Sequence, residues 1–269
     1  MAVQDTTRPE PPPAEFVRRT TLSFKVLGVR VDAVQIPDVV AEIERWIAQR
    51  GDSRYIAVTG MHGVTEALQD HAFRRILNSS GLVVPDGMPL VWLGRRHGFG
   101  LKRRVYGPEL METLCRETGS KYRHFFYGGM PGVPNRLAEM FNQKYGMNVV
   151  GIYSPPFRPL NDEEEAHVRQ LIDETQPDIL WVGLSTPKQE RWMHGHRHLP
   201  VPVMIGVGAA FDLNSGNLQQ APRFMRENGM EWLFRLVMEP RRLWRRYLIQ
   251  GSRFGWNVSL ELLGLKAFE

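Results

Sequence analysis

Apolar and polar positions follow two different spacings along this chain, and the two spacings alternate. Short runs of apolar, β-branched and aromatic residues predict buried strands over residues 24–31, 55–59, 82–85, 124–127, 149–153, 179–183 and 203–207. Apolar residues at intervals of three and four predict helices over residues 37–49, 64–77, 133–145 and 163–175. Strands that alternate with helices in this way predict an α/β fold with a mainly parallel sheet and helices on both faces.

In an open Rossmann-like sheet of this kind, ligands bind beside the carboxyl ends of the strands. The residues that directly follow the predicted strands are therefore the first place to look for function. Most of these segments are rich in glycine, proline or polar side chains, as a ligand-facing edge would be. They are residues 59–62, 86–87, 128–132, 154–157, 183–190 and 206–212.

Asp86 lies between a predicted buried strand and a glycine, in the sequence Val-Val-Pro-Asp-Gly. A carboxylate at the end of a strand can face a cleft and act as a general base. An Asp-Gly turn explains the same two residues about equally well, because both are favoured in turns. The local pattern leaves both interpretations open.

Two glycine-rich turns follow other predicted strands. Gly128 and Gly129 precede a predicted helix, so their backbone N–H groups can hold a phosphate, although a tight turn between strand and helix has the same composition. Gly206 and Gly208 match only the first half of a dinucleotide fingerprint, because Phe211 replaces its third small residue. We interpret the second turn as backbone close to a ligand and do not expect NAD. No P-loop sequence occurs in the chain.

Lys188, Gln189 and Glu190 begin a predicted helix directly after Pro187. Lys188 and Gln189 are suited to a phosphate and a sugar hydroxyl. The alternative is a solvated first turn, with proline at its first position and a glutamate favoured by the helix dipole.

Neither a metal nor another cofactor is expected. His194, His196 and His198 alternate along a predicted helix, where residues two apart do not share a face. No D-x-D triplet, which would supply a carboxylate pair for a divalent ion, occurs in the chain. Cys115 is the single cysteine, which excludes an intrachain disulfide and fits a reducing compartment.

The composition is that of a folded protein, with 42% hydrophobic and 23% charged residues. No apolar run approaches the roughly 18 residues of a membrane-spanning helix. The N-terminal segment is rich in proline, threonine and acidic residues and lacks the features of a secretory signal. We expect residues 1–22 to form a disordered tail and residues 23–221 to form the α/β core.

The net charge of +5 is concentrated near the C-terminus, where residues 221–253 hold eight arginines, three glutamates and no lysine. Leu243, Trp244, Tyr247 and Leu248 are spaced to form an apolar stripe, which paired arginines flank. We therefore interpret residues 222–269 as a basic amphipathic helical appendage.

Ten sequence blocks occur in a fixed order: VTGMHGV (58–64), VVPDGMPLV (83–91), RVYGPEL (104–110), FYGGMPGV (126–133), DILWVGL (178–184), PKQE (187–190), GVGAAFD (206–212), APR (221–223), EWLFRL (231–236) and EPRRLWRRY (239–247). With these blocks the chain resembles the WecG/TagA/CpsF family of bacterial glycosyltransferases over about residues 24–248.

The resemblance implies an inverting transfer of a sugar from a UDP-sugar donor to a polyprenyl-diphosphate-linked saccharide in cell-surface polysaccharide synthesis. The sugar would be of the N-acetylmannosamine type, a uronic acid or another hexose. The resemblance also implies a cytoplasmic enzyme attached peripherally to the inner face of the cytoplasmic membrane. A homo-oligomer is possible.

Carried onto this chain, the resemblance implies that Asp86 is the base and that Thr59 and Gln189 belong to the pocket. Together with the motifs above, the predicted substrate-binding residues are Thr59, His62, Gly128, Gly129, Lys188, Gln189, Glu190, Gly206, Gly208 and Asp212. The predicted contacts to the lipid diphosphate and the membrane are Arg223, Arg241, Arg242, Arg245 and Arg246.

The chain departs from the family pattern at Met61, where several relatives carry an asparagine. His62 either supplies the missing polar group or is a structural histidine.

A second hypothesis is a non-catalytic nucleotide-binding α/β protein whose basic tail binds nucleic acid. The absence of lysine from residues 221–253, and the alternation of arginine with tryptophan and leucine there, favour a lipid interface instead. We expect no nucleic-acid partner.

Overall fold

The structure is a computed structural model, and it describes residues 21–268 of the 269-residue chain. Of the tail predicted over residues 1–22, residues 1–20 lie outside the described residues.

The first elements are a β-hairpin rather than the single strand predicted over residues 24–31. Strands β1 (Ser23–Val26) and β2 (Val29–Asp32) pair antiparallel. Leu27 and Gly28, the two residues between them, have φ angles of 50° and 80°. Two-residue hairpin turns of this type need positive φ at both positions, and Gly28 adopts it without steric cost. The apolar run hid this turn because its glycine is flanked by valine and leucine.

A six-stranded parallel sheet forms the centre of the molecule. Its strands are β3 (Arg54–Thr59), β4 (Leu82–Pro85), β5 (Arg123–Gly128), β6 (Asn148–Tyr153), β7 (Ile179–Gly183) and β8 (Val203–Gly206). Their order across the sheet is β4-β3-β8-β7-β5-β6, and every neighbouring pair is parallel. All six carboxyl ends therefore lie along one edge. The predicted α/β fold with a mainly parallel sheet is confirmed.

Between residues 21 and 214, nine α-helices precede, connect or follow these strands. They are α1 (Ile36–Gln49), α2 (Met61–Gln69), α3 (His71–Ser79), α4 (Met88–Arg96), α5 (Gly107–Thr118), α6 (Val133–Tyr145), α7 (Asp162–Thr175), α8 (Lys188–Gly195) and α9 (Ala210–Asn214). The single helix predicted over residues 64–77 is two helices. The chain breaks at Asp70, whose carboxylate accepts a hydrogen bond from the Phe73 N–H at 2.9 Å and caps α3.

Alternate side chains of each strand point to opposite faces of the sheet, and helices cover both faces. Ile56 and Trp181 belong to a buried cluster that includes residues of α1, α5 and α6. Tyr55 and Leu180, on the other face, pack with α7 and α8, while Ala57 packs with α2, α3 and α4. The predicted three-layer arrangement is therefore confirmed.

The C-terminal residues form a series of helices, which are α10 (Arg223–Glu227), α11 (Glu231–Met238), α12 (Pro240–Trp244), a π-helix (Arg245–Gln250) and α13 (Gly251–Leu262). Helix α13 contributes Phe254 and Val258 to the buried cluster that contains the β-hairpin. The Glu261 carboxylate accepts a hydrogen bond from the Leu27 N–H at 3.1 Å. The last helix is thus anchored on the core. Within residues 21–268, no helix is both long and apolar enough to span a membrane.

Candidate active site

A cavity of about 330 Å³ lies where the carboxyl ends of β3 and β4 meet the C-terminal helices. The core contributes one part of its wall, made of Met61, His62, Asp86, Gly87, Met88, Pro89, Trp92, Arg104 and Tyr106. The C-terminal helices contribute the rest, made of Gly229, Glu231, Trp232, Arg235, Arg246, Tyr247 and Gly251. Both parts of the chain are therefore needed to build the cavity.

Asp86 is fixed at the first position after β4. Its backbone N–H donates to the Thr59 carbonyl at 2.9 Å, which holds it beside the end of β3. The neighbouring chain approaches closely at Gly60, where a Cβ atom would lie 2.6 Å from the Asp86 carbonyl oxygen. Asp86 Oδ1 is shielded from solvent and has no hydrogen-bond partner among the described residues. Asp86 is only partly buried and lines the cavity, so its carboxylate can be reached from the cavity although Oδ1 is shielded.

The environment raises the pKa of Asp86 to about 6. Burial is the largest cause, and the nearby Glu231 carboxylate raises the pKa further, while Arg104, Arg246 and Arg235 lower it. A carboxylate with this pKa is ionised at neutral pH, yet it takes up a proton more readily than an ordinary aspartate. This is the balance that a general base requires.

Arg104 and Glu231 form a buried ion pair that joins the core to α11. The second Glu231 oxygen accepts a hydrogen bond from Tyr106 Oη at 2.6 Å. The Arg104 guanidinium also lies over the Tyr106 ring, 4.1 Å from its centroid. Burial and the Glu231 carboxylate raise the pKa of the Tyr106 hydroxyl, so it remains a hydrogen-bond donor at neutral pH. The three side chains hold one another in place.

His62 connects α2 to the π-helix. Its Nδ1 atom lies 2.6 Å from Gln250 Oε1, and the Gln250 amide donates to Glu66 at 2.7 Å. Burial and the positive charge of Arg246 lower the pKa of His62. The ring is therefore neutral at neutral pH. It lines the cavity beside Met61, and the contact to Gln250 gives it a structural role.

Arg246 is the one residue of the predicted arginine set that lines the cavity. Its Nε atom is shielded from solvent and has no hydrogen-bond partner within residues 21–268. Burial lowers the pKa of the guanidinium. A buried cation without a partner is costly, and an anionic ligand would remove that cost.

The other four predicted arginines are exposed on the outer surface. Arg223 pairs with Glu227 at 2.6 Å, and Arg242 pairs with Glu239. The Arg245 guanidinium lies 5.3 Å from the centroid of the Trp244 ring. Arg241 is also exposed. None of these four lines the cavity, because they lie on the outward faces of α10, α12 and the π-helix.

Thr59, Gln189, Glu190, Gly206 and Gly208 form a second polar cluster that does not line the cavity. Gln189 Oε1 accepts from the Gly208 N–H at 3.0 Å, and its amide donates to Glu190 at 3.1 Å. The Thr186 hydroxyl donates to the same glutamate at 2.7 Å. The cluster connects the loops after β7 and β8. In this structure both ends of the Gln189 amide already contact protein atoms.

This cluster also contains two unsatisfied polar atoms. Thr59 and Glu190 are fully buried, and Thr59 Oγ1 and Glu190 Oε2 have no hydrogen-bond partner among the described residues. Burial raises the pKa of Glu190. Gly63 keeps the cluster close to α2, because a Cβ atom there would lie 2.8 Å from the Thr59 methyl group. These five predicted residues therefore lie together, but outside the lining of the cavity.

The remaining predicted residues also lie outside the cavity lining. Gly128 and Gly129 have φ angles of 118° and 72°, and the Gly129 N–H donates to the Gly183 carbonyl at 3.1 Å. This N–H is therefore not available to a phosphate. Lys188 is exposed. Asp212 Oδ1 accepts a hydrogen bond from Asn217 at 2.7 Å, which makes this carboxylate part of a loop.

The sequence analysis missed several residues of the cavity wall, above all Arg104, Tyr106, Glu231 and Arg235. Their signal lay in the blocks RVYGPEL and EWLFRL, which contain charged residues beside apolar ones. Within residues 21–268, no group of three His, Cys, Asp or Glu side chains is placed to hold a metal ion. His194, His196 and His198 instead contact Tyr55, Glu165 and Arg169, respectively.

Comparison with known proteins agrees with the sequence blocks. A family model described as the glycosyl transferase WecG/TagA/CpsF family matches residues 24–267. An N-acetylglucosaminyldiphosphoundecaprenol N-acetyl-beta-D-mannosaminyltransferase of Bacillus spizizenii is 30% identical over 217 residues, which cover 80% of this chain and 82% of that protein. A protein of the same name from Bacillus subtilis is 31% identical over 184 residues, covering 68% and 70%. One from Staphylococcus aureus is 26% identical over 230 residues, covering 85% and 89%.

The raised pKa of Asp86 leads to a prediction about stability that can be tested without a substrate. An aspartate whose pKa is about 6 in the folded protein and about 3.9 in the unfolded chain destabilises the fold above pH 6, and this cost disappears as the pH falls below 4. Asp86→Asn removes the charge and keeps the shape. We expect it to raise the Tm at pH 7.5 by about 6–12 °C, for a gain of about 3 kcal/mol.

The measurement is the Tm difference between Asp86→Asn and the unaltered protein from pH 4 to pH 8. The difference should shrink through pH 6 and vanish near pH 4. Asp173→Asn, at an exposed position on α7, serves as the control and should show no such trend. A Tm difference that is constant with pH would contradict the assignment of the raised pKa to Asp86.

Proposed function

This chain belongs to the WecG/TagA/CpsF family of glycosyltransferases, and we propose that it transfers N-acetylmannosamine from a UDP-linked donor to N-acetylglucosamine on a polyprenyl diphosphate. The names of the relatives support this acceptor and this sugar. The observation that carries the proposal is that Asp86 lines the same cavity as Arg104, Arg235 and Arg246. The Asp86 carboxylate can accept a proton from an attacking hydroxyl, and the guanidinium groups can bind a departing diphosphate.

In the proposed reaction, the acceptor hydroxyl donates a hydrogen bond to the Asp86 carboxylate and then transfers its proton there. The hydroxyl oxygen forms a bond to the anomeric carbon as the bond from that carbon to the UDP oxygen breaks on the opposite side. The configuration at the anomeric carbon is thereby inverted. The electron pair of the broken bond leaves with UDP, whose added charge is stabilised by arginines already fixed around the site.

Arg246 and Arg235 are the groups that we assign to the diphosphate. Neither forms an ion pair among those found within residues 21–268, whereas Arg104 is paired with Glu231. Arg246 has an unpartnered Nε. The guanidinium groups of Arg235 and Arg246 would supply the positive charge that the departing diphosphate needs, so the enzyme would work without a divalent ion.

The surface around the cavity suits the lipid part of the acceptor. Trp92 and Trp232, at the cavity wall, are 56% and 43% exposed. Further exposed apolar side chains on the C-terminal helices are Phe224, Leu233, Val237, Met238, Leu248 and Trp256. Exposed arginines lie among them on α10, α12 and the π-helix. We propose that this basic and apolar surface lies on the inner face of the cytoplasmic membrane.

Asp86→Asn should lower the rate constant for transfer by about 10²–10⁴, because the acceptor hydroxyl loses its base. In the unaltered enzyme, kcat/KM should rise with pH through about pH 6 as Asp86 loses its proton, and the residual rate of the variant should lack this rise. The assay follows transfer from UDP-N-acetylmannosamine to a lipid-linked N-acetylglucosamine diphosphate. A folded Asp86→Asn enzyme with normal turnover would exclude the role of base.

Transfer should not depend on a divalent metal ion. We expect the initial rate to be unchanged by EDTA and by later addition of Mg²⁺ or Mn²⁺, because Arg235 and Arg246 line the cavity in which the leaving group departs. Arg246→Gln should lower kcat in the same assay, since one of these charges is then lost. Abolition of activity by EDTA, with recovery on addition of metal, would overturn this prediction.

Membrane binding is tested by charge removal, because deletion of α13 would expose the hairpin that Phe254 and Val258 cover. The triple variant Arg241→Gln, Arg242→Gln, Arg245→Gln should bind vesicles with 30% phosphatidylglycerol about 100-fold more weakly. Each basic residue near an anionic surface contributes about 1 kcal/mol. The control replaces Arg50, Arg116 and Arg123, which are exposed near the amino ends of the strands. Equal loss of binding in both triple variants would contradict the proposed membrane face.

A further inference from the structure

We propose that Glu231 is a positioning residue, which holds the Arg104 guanidinium and so keeps the Asp86 carboxylate free to act as the base. The inference rests on the proposed function for the identity of that base. It assigns to the C-terminal helices a specific part in the chemistry, beyond closing one side of the cavity.

Arg104 has two possible carboxylate partners in the cavity, and the structure pairs it with one of them. It contacts Glu231, and the two side chains are only 15% and 7% exposed. The second Glu231 oxygen is held by the Tyr106 hydroxyl at 2.6 Å. Within the part of the chain that the structure describes, Asp86 Oδ1 has no hydrogen-bond partner. The geometry therefore separates an occupied carboxylate from a free one.

The free state of Asp86 depends on this pairing. Arg104 interacts electrostatically with both Asp86 and Glu231, and the two carboxylates together raise its pKa against the effect of burial. If Glu231 lost its charge, Asp86 would be the remaining carboxylate in the cavity wall. A buried guanidinium that loses its partner is strongly unfavourable, so Arg104 would turn to Asp86. An aspartate in such a pair is a weaker base.

The other charged groups that face Asp86 act in the opposite direction to Glu231. Three arginines lower the pKa of Asp86. Arg235 lies on α11, Arg246 on the π-helix and Arg104 in the segment before α5. His62 on α2 is neutral at neutral pH because its pKa is lowered, and the Tyr106 hydroxyl keeps its proton. Glu231 thus opposes three guanidinium groups. Without it, Asp86 would face cations alone.

The experiment measures the titration of Asp86 without substrate, in the full-length protein. The Tm difference caused by Asp86→Asn is recorded against pH, first alone and then in the presence of Glu231→Gln. A fit of this difference, with an unfolded-state pKa of about 3.9, gives the titration midpoint of Asp86 in the folded protein, which should lie near pH 6 with Glu231 in place. With Glu231→Gln, we expect it to fall by about 1–3 pH units, so that the difference at pH 7.5 shrinks or changes sign.

Three further variants distinguish this role from a merely structural one. Glu239→Gln, in the same segment and paired with the exposed Arg242, should leave the midpoint unchanged. Glu231→Asp keeps the negative charge, so the midpoint should stay close to its value in the unaltered protein. In an Arg104→Gln protein, Glu231→Gln should move the midpoint by clearly less than it does with Arg104 present, because only the direct effect of the Glu231 charge on Asp86 is then lost. This double variant removes both charges of the Arg104–Glu231 pair, so it tests the idea if Glu231→Gln alone does not fold.

Kinetics supply a second readout. In Glu231→Gln, the rise of kcat/KM with pH should move to lower pH in parallel with the midpoint, and kcat at pH 8 should fall because the base is weaker. A loss of activity with an unmoved midpoint would overturn the proposal and leave Glu231 a structural residue. If Asp86→Asn retained full activity, the proposed base would fail, while the substrate-free midpoint would still report whether Glu231 controls Asp86.

Discussion

Asp86 is an ionisable side chain held at a strand end, with one oxygen that is shielded from water and has no hydrogen-bond partner among the residues described. The architecture of the site depends on this arrangement. Burial of an unpaired carboxylate is unfavourable, so the position needs support from elsewhere. Its backbone N–H donates to the Thr59 carbonyl, and the three apolar residues that begin β4, Leu82, Val83 and Val84, are buried in the core. The surrounding arginines limit the electrostatic cost without forming a direct contact that would quench the carboxylate.

The parallel sheet explains why these groups meet. Every strand ends at the same edge, so β3 and β4 bring Thr59 and Asp86 together although 27 positions separate them in the numbering. The neighbouring loops after β7 and β8 are joined by Gln189, Glu190 and Thr186. This second cluster gives the edge rigidity beneath the cavity. A rigid floor is useful where a base must lie within hydrogen-bond distance of a substrate oxygen.

The sequence allowed the sheet to be predicted well because its strands are short, nearly uninterrupted apolar runs, and residues 82–85 and 179–183 coincide with β4 and β7. The place of Asp86 after such a run left a base and an Asp-Gly turn equally open, and the family resemblance favoured the base. The errors have local causes: Gly28 made a turn inside an apolar run, and Asp70 capped a new helix. The cavity wall was harder to predict, since Arg104 and Glu231 are 127 residues apart. No periodicity along the chain predicts a pairing between two such distant side chains, whereas burial and charge in the folded state make it evident.

A site divided between the core and the C-terminal helices has a consequence for the enzyme we propose. The helices that carry Glu231, Arg235 and Arg246 also present exposed apolar side chains and arginines. A displacement of these helices would remove Glu231 from Arg104, and the guanidinium would then be attracted to Asp86. The base would be strongest only while the helices are docked. Because docking also brings Arg246 into the cavity, the base and the cations for the leaving group would become competent together, which would limit the attack of water on the donor when the site is incomplete.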